Sequence, residues 1–178
     1  PFEGFVCDDI LADATGVQIP QIGFFETKFV YPAVLEDGRL WMSVTPNEIE
    51  TMKEAVERAH GKVLAFGLGL GYFPYMVSEK SDVESVTIVE MNEEIIELFK
   101  KHILPQFGNI DKVNVIQADA FDYARNYLPE GNYDFVYTDL WHDVSDGADM
   151  YLEMKKFEKQ NPDVEFMYWI EKSIVCYL

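Results

Sequence analysis

Five short apolar runs, separated by stretches with helical punctuation, limit what this chain can become more than any other feature. In order they are KVLAF (62–66), SVTIVE (85–90), KVNVIQ (112–117), YDFVYTD (133–139) and VEFMYWI (164–170). Between them lie YFPYMVSEK, NEEIIELFKKHIL, a short helix near FDYARNYL, and GADMYLEMKKFEKQ. Pro74 is tolerated in the first turn of its helix, and Asn92 can cap the next one. Strand and helix in regular alternation call for a doubly wound α/β fold. Its sheet is mainly parallel, covered by helices on both faces and joined by right-handed crossovers. There is no internal repeat and no low-complexity segment.

Upstream of the alternation the grammar changes. TPNEIETMKEAVERAHG (45–61) reads as a helix: Thr45 is the N-cap, Pro46 sits at the first helical position and Glu48 closes a capping box. Ile49, Met52, Val56 and Ala59 form an apolar stripe at helical spacing, and Gly61 can end the helix in a left-handed turn. ETKFVYPAVLEDGRLWMSVTP reads as two strands around Asp37-Gly38, a strong hairpin pair. Pro32, lacking a ladder donor, belongs at an edge or bulge. The first 20 residues show no period and are expected to form a loosely docked arm. The expected organisation is an arm and β-hairpin over 1–44 and the α/β domain over 45–178.

Charge and cysteine narrow the class. The 178 residues carry 32 acidic against 14 basic side chains, a formal net charge of −18. Such a field repels a phosphate backbone and argues against nucleic acid. It suits a small cationic molecule, or solubility alone. Cys7 and Cys176 lie at opposite ends of the chain, with no CxxC and no zinc spacing. We read them as reduced thiols of a cytoplasmic protein, a single disulfide being the weaker option. His60, His102 and His142 are scattered, so no metal site is expected. No apolar run reaches the roughly 20 residues that span a membrane, and there is no basic-then-apolar leader. The chain opens on PFEGF without a Met, which reads as a trimmed end.

In a parallel sheet, ligands bind beyond the carboxyl ends of the strands, where strand order reverses. The first strand here runs into Gly67-Leu68-Gly69-Leu70-Gly71; the second ends at Glu90, the third near Asp119-Ala120 and the fourth at Asp139. Glycines let backbone N–H groups approach a ligand closely. A carboxylate at the second strand end can accept from both ribose hydroxyls. An Asp at the third can accept from an exocyclic amine while the next N–H donates to a ring nitrogen. Together they would read adenosine. The dinucleotide pattern GxGxxG is broken, since the third glycine comes one residue early and Tyr72 follows it. No GxxxxGK[ST] is present.

Over roughly residues 60 to 172 the chain resembles the class I S-adenosylmethionine-dependent methyltransferases, and within them the spermidine synthase (aminopropyltransferase) branch. GLGLG, TIVEMN, IQADAFDY and YDFVYTDLW match the four motifs. VEMNEEIIELFKKHILP and ADAFDYAR, with a hairpin placed before the nucleotide-binding domain, have the branch's cadence. The resemblance implies cofactor contacts at Phe66, Gly67, Leu68, Gly69, Gly71, Glu90, Met91, Asp119, Ala120 and Asp139. It places Glu90 on the ribose, Asp119 near the adenine N6 and Asp139 facing the reaction. It also implies seven strands, so strands at the C-terminal edge are expected to be missing. Ala65 stands where many methyltransferases carry an acid, Leu70 where aminopropyltransferases carry an Asp, and DLWHDVSDGAD where they carry a Pro-Gly-rich segment.

Group transfer from a sulfonium mainly needs an aligned acceptor, and an amine acceptor must also lose a proton to a base. Asp139 is the first candidate for orienting or deprotonating the acceptor; His142 and Asp143 are next. Trp141 could wall the site or pack on a cationic amine, or be core. Tyr72 and Tyr137 could line the site or simply pack. The run after the fourth strand is expected to lead into a helix capped by Asp146 or a neighbour. Three readings follow. The first is a methyltransferase using S-adenosylmethionine on a small molecule. The second is an aminopropyltransferase using decarboxylated S-adenosylmethionine and a polyamine. The third is a scaffold that kept the fold without catalysis. The acceptor is expected to be a small molecule, with a cationic amine and a homodimer as options.

Overall fold

The structure is a computed structural model and describes residues 11–12, 18–19, 30–36 and 39–178. By its contacts the chain divides into two compact units, Pro1–Glu50 and Thr51–Leu178.

In the first unit, β1 (Leu11–Ala12) pairs antiparallel with β2 (Gln18–Ile19). The sequence has no period there, and two-residue strands are too short to show one. The rest of the expected arm lies outside the described residues. The hairpin is present as β3 (Ala33–Glu36) against β4 (Arg39–Ser43), with Glu36 opposite Arg39. Asp37 and Gly38, which the sequence puts in its turn, lie outside the described residues. The register shifts between Val34 and Leu35. Pro32 precedes the first strand residue and contributes only its carbonyl, which accepts from the Val44 N–H at 3.0 Å.

Helix α1 (Pro46–Arg58) starts as its sequence dictates. The Thr45 N–H donates to Glu48 Oε2 at 2.8 Å, and the Glu48 N–H donates to Thr45 Oγ1 at 3.3 Å. Met52 and Ala55 are its buried residues, and Ala59, just past its end, is fully buried. Gly61 has φ +59, the left-handed turn expected after the helix, and also opens the first strand of the sheet.

The second unit is built on five parallel strands: β5 (Gly61–Phe66), β6 (Val83–Glu90), β7 (Val113–Gln117), β8 (Phe135–Thr138) and β9 (Glu165–Tyr168). Their order is β7-β6-β5-β8-β9, and every neighbouring pair is parallel. Val63 to Phe66 and Phe135 to Tyr137 are almost fully buried. Consecutive burial of this kind needs cover on both faces of the sheet.

That cover comes from the connecting helices. They are α2 (Tyr72–Ser78), α3 (Glu93–Leu98), α4 (Ala120–Asn126), α5 (Val144–Gln160) and α6 (Glu171–Val175). One core layer gathers Leu64, Phe66, Val89 and Val136 with Ala124, Met154, Phe157 and Ile174. Asn92 caps α3 as expected, its side chain accepting from the Ile95 N–H at 3.1 Å. The α-helix is shorter than the sequence suggests. It passes into a π-helical turn (Phe99–Ile103) and then a 3-10 turn (Leu104–Gln106). Pro105 sits in that last turn, and without an N–H it cannot continue the i→i−4 ladder.

Candidate functional site

The chain runs from β5 to β6 to β7 on one side, then crosses back to β8 on the other side of β5. The switch point is therefore between β5 and β8, where doubly wound sheets bind ligands. Backbone hydrogen bonds stitch the strand ends into a row. The Ala118 N–H donates to the Glu90 carbonyl at 3.1 Å, and the Gly67 N–H to Val89 at 3.0 Å. The Asp139 N–H donates to Phe66 at 2.9 Å, and the Trp169 N–H to Thr138 at 2.9 Å. The elements that the sequence places at four strand ends therefore share one edge.

The three loop glycines have φ of +93 (Gly67), +53 (Gly69) and +80 (Gly71). They serve different ends. A Cβ on Gly67 would overlap the Asp139 carbonyl oxygen, and one on Gly71 would come within 2.6 Å of the Phe99 ring. Both are required by packing. A Cβ on Gly69 would meet nothing within 4 Å, so open space lies over this residue. Leu68 is buried and donates its N–H to Glu90 Oε2 at 3.1 Å, while Glu90 Oε1 accepts from the Asn92 N–H at 2.8 Å. Each carboxylate oxygen thus holds one backbone donor and keeps capacity for a second. Met91 is 68 % exposed, a large apolar side chain beside that carboxylate.

Asp119 is exposed and caps α4, with Oδ1 accepting from the Asp122 N–H at 2.9 Å. Ala120, buried, is the first residue of that helix. Phe66 is fully buried in the core. Asp139 is half-buried at the end of β8. Two residues before it, on the same face, Tyr137 is buried and stacked on Phe73 of α2 at 4.2 Å. Burial first, and then the Asp139 charge, push the Tyr137 phenol well above its usual pKa.

His142 and Asp143 lie in the turn before α5, both exposed. Asp143, with Asp146 at the third helical position, forms a reciprocal capping box, where the sequence had named Asp146 or a neighbour. Asp143 Oδ1 accepts from the Ser145 N–H at 2.6 Å, and hydrogen bonds from the Ser145 side chain and then from this N–H lower its pKa. His142 Nδ1 lies 2.9 Å from Asp146 Oδ2. Trp141 is buried, donates its Nε1–H to the Trp169 carbonyl at 3.3 Å and packs on Gly147. It is core, the second of its two readings. Cys176 is an exposed free thiol; Cys7 lies outside the described residues. Among the described residues no three His, Cys, Asp or Glu side chains gather to hold a metal, and no helix is long and apolar enough to cross a membrane.

Sequence reasoning missed the two backbone donors that fix Glu90. Both are peptide groups, invisible as residue types. It also missed that the Tyr137 hydroxyl is buried and has no hydrogen-bond partner.

Residues 48–161 match the Spermine/spermidine synthase domain. The chain belongs to that family. It is 31% identical over 116 residues to polyamine aminopropyltransferase 2 of Hyperthermus butylicus, covering 61% of this chain and 37% of that protein. It is 25% identical over 93 residues to a polyamine aminopropyltransferase of Clostridium botulinum, covering 51% and 32%. The chain thus spans about a third of the length of these curated relatives. A solved spermidine synthase from Thermotoga maritima superposes with a TM-score of 0.51 at 16% identity, over 74% of this chain and 47% of that one. A precorrin 8w decarboxylase from Methanobacterium thermoautotrophicum superposes as well, at 0.53 and 14%, over 75% and 69%. At such identities the structural likeness speaks for the fold, which both share.

Proposed function

We propose that this chain carries the donor-binding part of a polyamine aminopropyltransferase, with decarboxylated S-adenosylmethionine as donor and a cationic polyamine as acceptor. The observation that carries the reading is the stitched row of strand ends: Asp119-Ala120, Glu90, the glycine loop and Asp139 on one edge. Family membership supports aminopropyl transfer over methyl transfer, the first reading of the sequence. The net charge of −18 suits a cationic acceptor.

The residues present fit the donor. Open space over Gly69 leaves room for its backbone. Glu90 keeps acceptor capacity for the two ribose hydroxyls, Met91 offers an apolar surface, and Asp119 with the Ala120 N–H meets the adenine edge. When bound, the sulfonium supplies an electrophilic carbon. The chain's own part is to hold and orient. The Asp139 carboxylate would attract the acceptor ammonium, orient the amine and take the proton it gives up. His142 and Asp143 follow Asp139 as candidates, and both are engaged in the α5 cap.

The reading is tested by titrating the purified chain with decarboxylated S-adenosylmethionine, S-adenosylmethionine and S-adenosylhomocysteine side by side. Mass analysis of a polyamine incubation completes the test. Tightest binding of the decarboxylated form and a product heavier by one aminopropyl group are expected. Preference for the intact cofactor would move the assignment to methyl transfer. Absence of binding to a folded chain would favour the scaffold reading, which Ala65 and Leu70 support by being apolar.

A further inference from the structure

Tyr137 carries a hydroxyl that packing does not explain. Its ring is 3% exposed and stacks on Phe73 with centroids 4.2 Å apart. A phenylalanine would make the same stack. The Oη atom is buried and has no hydrogen-bond partner in the structure, and burying an unpaired hydroxyl is unfavourable. The residues opposite Tyr137 in the sheet are Ala65 on β5 and Met167 on β9, neither of them polar. Alternation along β8 puts Asp139, two residues on, on the same face. Of the charged groups, Asp139 is the one that acts on the phenol. The next titratable side chains along the chain, His142, Asp143 and Asp146, are tied together in the α5 cap.

We infer that Tyr137 is a positioning residue for Asp139. In the loaded site its hydroxyl donates to the Asp139 carboxylate and holds it towards the acceptor amine. The inference rests on the acceptor role proposed for Asp139. A donor to a carboxylate stabilises the ionised form and lowers its pKa. The hydroxyl therefore keeps Asp139 charged at lower pH and restricts its rotation. It touches neither donor nor acceptor, so its effect should appear in how Asp139 titrates.

The test compares wild type with Tyr137→Phe, which keeps the ring and its stack. In carboxyl-13C-labelled protein, the Asp139 resonance is assigned by its loss in Asp139→Asn. It is then titrated in the free chain and with saturating 1,4-diaminobutane. The expected result is a titration midpoint about one unit higher in Tyr137→Phe with the diamine present. In aminopropyl transfer, the acid limb of kcat should move up by the same amount. That is about a tenfold loss below the limb and recovery above it, with KM little changed. A midpoint identical in both proteins and both conditions overturns the inference. A wild type without transferase activity would instead sink the proposed function, and the resonance would still decide the role of Tyr137.

Discussion

Each oxygen of Glu90 accepts one backbone N–H, from Leu68 and from Asn92, so this side chain both shapes the glycine loop and offers its remaining lone pairs outward. Glu90→Ala should weaken binding of decarboxylated S-adenosylmethionine by about 1.5–3 kcal/mol, the range for hydrogen bonds to a charged group. Calorimetric titration measures it, and unchanged affinity would remove Glu90 from the ribose. Thr138, next to Asp139, is fully buried, and its Oγ1 has no partner. Thr138→Val keeps the shape and deletes the unpaired hydroxyl. It should raise stability by about 1 kcal/mol in urea unfolding. At this scale the sequence was legible wherever a polar residue ends a strand, as Glu90 and Asp139 do. It was ambiguous after β8. His, Asp and Asp serve a helix cap as readily as proton transfer, and the bonds around Asp146 show the cap.

Among the elements, the glycine loop gives the sharpest contrast. Gly67→Ala and Gly71→Ala force a Cβ into the Asp139 carbonyl and the Phe99 ring, and both should fail to fold stably. Gly69→Ala meets no neighbour. Its cost should be only the left-handed φ of +53, about 1–2 kcal/mol. It should therefore remain folded by circular dichroism yet lose donor binding, because the methyl enters the open space. Full affinity in that variant would place the ligand elsewhere. Helix α1 has a comparable dependence at its C-terminal end. Lys80 Nζ donates to the carbonyls of Val56, Glu57 and Ala59 at 3.0, 2.8 and 2.5 Å. Arg58 and Trp169 tie the same helix to β9 and its exit, through Glu165 at 2.7 Å and Thr51 at 2.9 Å. The alternation of strands and helices was readable because hydrophobic period and capping residues are local. The Lys80 clasp was not, because it joins residues more than 20 positions apart. The break of α3 into a π-helical turn likewise had no signal beyond Pro105.

For the whole molecule, a net charge of −18 opposes compaction, and ionising further groups at high pH adds to that repulsion. The fold also contains tyrosines that resist ionisation. Tyr151 donates to Glu171 and Tyr168 to Glu158, both at 2.8 Å, with Lys155 lying over both rings. Burial, then the bond to Glu171, pushes Tyr151 up to about 12; burial, then the bond to Glu158, raises Tyr168 further. In the unfolded chain both ionise near pH 10. A pKa raised by folding gives stability that is complete below the unfolded value and is lost as pH rises through the folded one. Unfolding free energies from urea titration should therefore be flat from pH 7 to about 9.5 and fall between about 10 and 12, by about 1.4 kcal/mol per pH unit for each tyrosine still protonated. Salt separates this from general repulsion. Added sodium chloride should lift the whole curve by screening and leave its slope in place. Tyr151→Phe combined with Tyr168→Phe should reduce the slope even at low salt, leaving the part that Tyr123 and Tyr137, also raised by burial, supply. A slope unchanged by the double substitution would show that the two tyrosine–glutamate bonds contribute to packing alone and that the alkaline loss comes from the other buried tyrosines and net charge.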